Sequence, residues 1–227
     1  MLERFKVPLK DQVRISPDAL RRTVTDIFMK MGETLGDANV AAEVLVTADL
    51  RGIETHGVSN MMPAYLGYYR EGKLKAKPDW RVVRESPATA NIDADSGLAL
   101  FLGPKAMRMA IDKARDVGIG VVTMFNAGHS GAIGYHATMA AREDMVGVVM
   151  TAGGLMVTPT FGAEKKLGTN PIAISAPARS EPPFLFDAAT SALAGNKLRL
   201  AERVGAMMLP GWIADAEGNP IMEEAPL

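Results

Sequence analysis

Cysteine is absent from the 227 residues. That excludes disulfides, thiolate metal sites, iron–sulfur clusters and cysteine nucleophiles together. Long apolar runs are also missing: none approaches the roughly 18–20 residues needed to span a bilayer, and those present, such as "VGVVM" at 146–150, are short. The opening "MLERFKVPLKDQVRIS" has no apolar h-region, so a cytoplasmic location without a secretory signal is expected. Neither sign of charge prevails, with 25 basic against 26 acidic residues and a formal net charge of −1. No same-sign field exists to hold nucleic acid or a membrane surface, so neither is an expected partner. Tyrosine occurs four times and methionine fifteen, which describes a flexible, aliphatic core.

The residues that are present suit a globular α/β chain. A composition 48% hydrophobic and 22% charged can bury a full core. "ISPDALRRTVTDIFMKMG" predicts a helix with Ser16 as N-cap, Pro17 at its first position and Gly32 past its last turn. "GDANVAAEVLVTADLRG" predicts a second, capped near Asp37 and stopped near Gly52, and a third runs from Val58 to Tyr69. The period then changes. "DWRVVRES" and "ATANIDAD" predict short strands parted by Ser86-Pro87. A helix over "GPKAMRMAIDKARDVG" has Pro104 near its start and Gly118 just past its end. "IGVVTMFNA" and "MVGVVMTAGG" read as buried strands on either side of a helix over 131–142. "TNPIAISAPA" and "PFLFDAA" are strand-like, and a helical segment over 191–208 follows. This alternation predicts a layered α/β domain.

Two segments hold the three histidines. In "RGIETHGVSN", His56 lies between glycines and is free to face a cleft, where a group titrating near neutrality can exchange a proton. A capping or surface histidine explains the same spacing. "NAGHSGAIGYH" follows a strand and opens a helix, but its glycines at 128, 131 and 134 do not make G-x-G-x-x-G, and no P-loop lysine follows. On one helix His129 and His136 would lie about 10 Å apart, too far for one ion, so no metal is expected. His129 stands beyond the C-terminal end of a strand, where open α/β sheets bind ligands. It is either a catalytic group or a cap, and His136 reads as packing on the helix face. Gly168-Thr169-Asn170-Pro171 forms a turn with outward donors, while Asp187 and Thr190-Ser191 mark a strand end and a helix start.

The order of "ADLRGIETHGVS", "NAGHSGAIGYHATMAARE", "GAEKKLGTNPIAISAP" and "FDAATSALAGNK" resembles the type-2 malate/L-lactate dehydrogenase family, which includes sulfolactate, ureidoglycolate and diketogulonate oxidoreductases and certain cyclic imino-acid reductases. The resemblance implies an α/β sheet-and-helix fold of the sulfolactate-dehydrogenase-like type, distinct from the standard Rossmann fold, with an N-terminal helical region. It implies NAD or NADP as cofactor, a homodimer, and hydride transfer to or from a small 2-hydroxy or 2-oxo acid. The alternatives are reduction of a cyclic 2-imino acid, or an inactive dimerisation module. The family's Ser-His-Gly block corresponds to Thr55-His56-Gly57, and its proton-transfer histidine to His129, which is favoured over His56 as the proton shuttle. Cofactor contacts are implied at Gly153, Gly168, Thr169, Asn170, Asp187, Ala188, Ala189 and Thr190.

Two departures stand out. Where the family carries an arginine four residues after the first histidine, suited to a substrate carboxylate, this chain has Asn60. Asn60 and Tyr65 are the implied substrate-binding residues, with Arg51 and Lys166 as replacement cations. Family chains also continue well beyond this one. The expectation is therefore an N-terminal helical region over 1–75 and a cofactor- and substrate-binding α/β domain over 76–227, lacking its C-terminal part.

Overall fold

The computed structural model describes residues 3–227. Helices α1 (Pro17–Lys30), α2 (Leu35–Leu50) and α3 (Val58–Arg70) come first. Ser16 caps α1 by accepting the Ala19 N–H, as its position predicts. The cap of α2 is Thr34, three residues before the expected Asp37: its Oγ1 accepts the Asp37 N–H at 3.2 Å and donates to Asp37 Oδ2 at 2.9 Å. Thr34 thus supplies the N-cap, and Asp37 in the first turn holds its hydroxyl in place. Helix α2 is apolar on nearly every face, which fits a helix enclosed by its neighbours.

Strands β1 (Arg81–Glu85) and β2 (Thr89–Asp93) form an antiparallel hairpin, and β3 (Val121–Phe125) joins β2 in parallel. A parallel neighbour needs a crossover, and α4 (Ala99–Val117) supplies it. Helix α4 begins five residues before Pro104, because Leu98, Leu100, Phe101 and Leu102 enter the main core and carry the helix N-terminally. Gly118 ends α4 in the left-handed conformation, φ +88°. Helix α5 (Gly134–Ala141) follows, then β4 (Gly147–Met150), β5 (Ile172–Ala176) and β6 (Phe184–Ala188) in an antiparallel meander. Helix α6 (Gly195–Val204) starts at Gly195, not at Ser191, whose hydroxyl bonds Leu193 O.

The two strands expected to be buried are each exposed on one face. Val121 and Phe125 of β3, and Val148 and Met150 of β4, alternate outward. Each three-stranded sheet is covered by helices on one side only, so the apolar runs do not signify two-sided burial. The main core draws Phe28, Leu45 and Tyr65 from α1–α3 together with Leu98–Leu102 of the later segment. It thus crosses the boundary at residue 75. A smaller cluster packs Phe5 against Leu200, Ala201 and Met208, bringing the segment around Phe5 to α6. Among the described residues no helix is long and apolar enough to cross a membrane.

Candidate active site

The turn from α2 to α3 is organised by one carboxylate. Asp49 Oδ2 accepts the Val58 N–H at 2.9 Å, capping α3 from the preceding helix. Burial pushes the Asp49 pKa up, and the Val58 N–H opposes that rise. A Cβ on Gly57 would lie 1.6 Å from Asp49 Oδ1. Space, then, not backbone conformation, requires glycine there, since its φ of −82° suits any residue. The intervening Glu54–His56 folds as one 3-10 turn and presents Thr55 and His56. Flanking glycines suggested a freely exposed ring; His56 is instead partly buried.

The loop between β3 and α5 brings His129 onto that ring. The two imidazoles stack with centroids 5.4 Å apart and 16° between planes. Gly131 N–H donates to His129 Nδ1 at 3.2 Å, and Tyr65 Oη lies 2.7 Å from the same atom. A backbone N–H can only donate, so Nδ1 accepts and the neutral ring carries its proton on Nε2. His56 Nδ1 meets Thr55 Oγ1 at 2.9 Å. A hydroxyl can donate or accept, so His56 can hold its proton on either nitrogen. Among the described residues neither Nε2 has a protein partner, and neither atom is fully enclosed. Burial depresses the His129 pKa to about 3, with the neighbouring His56 and then the Arg199 charge adding to it. Burial lowers His56 to about 4. Both rings are neutral at neutral pH, and two stacked charges would repel.

The remaining substrate-binding expectations fare differently. Tyr65 is fully buried, with its ring 6.5 Å from Phe28, and burial pushes its phenol pKa far up. It supports His129 instead of lining a substrate surface. Asn60 is buried, and its Nδ2 donates to Thr55 O at 2.9 Å and Asn196 O at 3.2 Å. Both amide hydrogens are engaged, leaving no donor for a carboxylate; Asn60 is a strut between the Thr55 turn, α3 and α6. Arg51 lines a small cavity with Arg142 and Asp187, and Lys166 pairs with Glu164 at 2.6 Å.

The implied cofactor residues do converge. Gly153 N–H donates to Asn170 Oδ1 at 3.2 Å, and Thr169 O accepts the Thr190 N–H at 2.9 Å and its hydroxyl at 3.1 Å. Asn170 adopts a positive φ of +36°. A Cβ on Gly168 would stand 2.5 Å from Asn170 Oδ1 and 2.7 Å from Gly153 O, so the two backbones approach as only glycine allows. Asp187 Oδ2 accepts the Gly134 N–H at 2.7 Å, fastening β6 to the start of α5. Ala188 and Ala189 carry the chain on to Thr190.

His136 does more than fill space. It is buried, and its Nε2–H donates to Ser130 O at 2.9 Å, holding the peptide beside His129, while Nδ1 is buried without a partner. A Cβ on Gly103 of α4 would lie 2.9 Å from His136 Nε2. Asp49 and this use of His136 are not legible in the sequence, since neither spacing nor residue type announces a contact made in three dimensions. Among the described residues no group of three or more His, Asp or Glu could hold a metal.

Residues 15–225 match the family model described as malate/L-lactate dehydrogenase. The chain is 42% identical over 210 residues to the malate dehydrogenase of Pyrococcus horikoshii, covering 92% of this chain and 58% of that protein. It is 39% identical over 211 residues to the L-sulfolactate dehydrogenase of Methanocaldococcus jannaschii, covering 93% and 61%. The crystal structure of malate dehydrogenase from Entamoeba histolytica superposes with a TM-score of 0.89 at 31% identity, covering 93% of this chain and 58% of that one. The chain therefore spans about three-fifths of the length of the curated relatives it matches.

Proposed function

The chain belongs to the malate/L-lactate dehydrogenase family, and from that premise we propose that it exchanges a hydride between NAD or NADP and C2 of a small 2-hydroxy or 2-oxo acid. The observation that carries this is the stacked His56–His129 pair, each ring held at Nδ1 and open at Nε2. A substrate oxygen at those open edges meets one group able to take a proton and one able to donate a hydrogen bond.

In this reading the tautomers favour His56 for the proton transfer, where the resemblance implies His129. His129, with its proton kept on Nε2 by the Gly131 N–H, suits polarising the carbonyl. His56 suits the proton transfer: its Nδ1–H donates to Thr55 Oγ1 while a bare Nε2 takes the hydroxyl proton. In the reducing direction His56, neutral at rest, first takes a proton from solvent and then gives it to the oxygen. Because the two rings cannot both be charged, only one proton is in play. His136, through Ser130 O, and Asp49, through Val58, keep the two rings in register.

The cofactor reading is supported by the knot of Gly153, Gly168, Thr169, Asn170 and Thr190. Its donors are neutral and its backbone approach is close, which fits the carboxamide and ribose of a nicotinamide nucleotide; Ala188 and Ala189 lead into it, and Asp187 ties it to α5. When bound, the nicotinamide supplies or accepts the hydride at C4. Homodimer formation is part of the same proposal. The test is consumption of NADH or NADPH with oxaloacetate or pyruvate, beside a cyclic 2-imino acid. Turnover of a 2-oxo acid is expected; a folded chain that consumes neither nucleotide with any oxo acid contradicts the proposal.

A further inference from the structure

A 2-oxo acid brings a carboxylate next to its reacting carbon, and Asn60 has no donor left for it. Some other cation must meet the anion, and most of those near the site are already committed. Lys166 pairs with Glu164. Arg51 lines the separate cavity with Asp187. Lys197 lies over the Trp212 ring at 5.3 Å, and the charge of Arg203 acts on Asp49.

Arg199 differs from all of these. It projects from α6, which packs against the Thr55–His56 turn and α3. It is exposed, and among the described residues it has no ion pair and no hydrogen bond. It lines an open groove with Asn60, Ala64 and Tyr68. The one carboxylate in that groove, Glu71, is paired with Lys73 at 2.6 Å. Asn60 links the groove to the histidines, since its amide joins Thr55 O to Asn196 O, three residues before Arg199.

We infer that Arg199 is the substrate-carboxylate anchor of this chain, seating the C1 carboxylate of a 2-hydroxy or 2-oxo acid beside the His56–His129 pair. The inference rests on the proposed dehydrogenase function and names how its substrate class is selected. Asn60 takes no charge in it. Its strut holds α6 so that a guanidinium from that helix replaces one from α3. A planar fork meets a carboxylate with two parallel bonds, which favours acids over neutral ketones. That the Arg199 charge already acts on His129 agrees with this proximity.

The test uses oxamate, a non-reacting analogue that carries the carboxylate next to a carbonyl, and reads binding from the His129 ring signals by NMR. Wild type is expected to bind oxamate and shift His129. Arg199→Gln should weaken that binding about 10- to 100-fold, and Arg199→Lys should recover part of it. In the oxo-acid assay the same Gln variant should raise KM by a similar factor with a much smaller change in kcat. Without ligand it should raise the His129 pKa, because a neighbouring positive charge is gone. Oxamate affinity unchanged in Arg199→Gln, or no oxamate binding by wild type, overturns the assignment. Arginine-dependent oxamate binding without nucleotide turnover would instead sustain the anchor and defeat the dehydrogenase reading.

Discussion

At the scale of single residues, two glycines of one region separate space from propensity. Gly57→Ala would drive a Cβ into Asp49, and an overpacked site of this kind costs about 1–3 kcal/mol or more. Gly67, inside α3, has open space for 4 Å around the point where a Cβ would stand, so Gly67→Ala should stabilise by about 0.5–1 kcal/mol. Urea midpoints of the two variants should move in opposite directions; a shared direction would refute the packing argument. The glycine after His56 was legible in the sequence as part of a motif. Its reason was not, because Asp49 lies a helix end away and meets Gly57 only after the chain turns. The same holds for Asn60, recognisable as a departure but not as a strut, since its partner at Asn196 is far along the chain.

Among the elements, α4 and α5 meet where Gly103 faces His136. Gly103→Ala should push the imidazole off Ser130 O and disturb His129 beyond it. Turnover is expected to fall at least tenfold while far-UV circular dichroism stays native; full activity in this variant would free His136 from any positioning role. Most elements were legible from period and punctuation: α1 from Ser16, Pro17 and Gly32, the β1–β2 hairpin from Ser86-Pro87. Ends and sidedness were not. The start of α4 was missed because packing of Leu98–Leu102 overrides the proline signal, and the exposed faces of β3 and β4 because apolar runs do not reveal which side is covered.

For the whole molecule, charge on buried groups sets the response to pH. Burial raises Glu33 from 4.5 to about 7, partly opposed by the hydrogen bond from Tyr69. The native state therefore binds a proton there that the unfolded chain has lost, and stability from this group falls as pH rises from 4.5 to 7, by on the order of 3 kcal/mol. The three histidines act oppositely. His56, His129 and His136 have pKa values lowered from 6.5 to about 4, 3 and 4, so their contribution is present above 6.5 and is lost as pH falls toward 4. Between pH 4.5 and 6.5 Glu33 offsets part of the histidine effect. Glu33→Gln should thus show a steeper rise in urea midpoint from pH 5 to pH 7 than wild type; equal slopes would remove Glu33 from the account.

The β4–β6 sheet leaves Val148, Met150, Ile174, Phe184 and Phe186 on one exposed face. Continuous apolar surface of this kind promotes association. Phe186→Ser is expected to lower concentration-dependent light scattering with little loss of stability, and unchanged scattering would show that the face is not adhesive. The ordered motifs carried the family across nearly the whole chain, as the match over residues 15–225 confirms. What they could not carry was the proposed division of labour between two histidines, which rests on a backbone N–H two residues past one ring.

That division is tested most directly by the pH dependence of kcat for oxo-acid reduction in His56→Gln and His129→Gln. His56→Gln should fall about 10²–10⁴-fold, as for loss of a general acid or base, and lose the ionisation limb of the wild-type profile. His129→Gln keeps an N–H donor and should keep that limb, at reduced rate. The opposite pattern, with the limb lost in His129→Gln and kept in His56→Gln, would return the proton transfer to His129 and contradict the account.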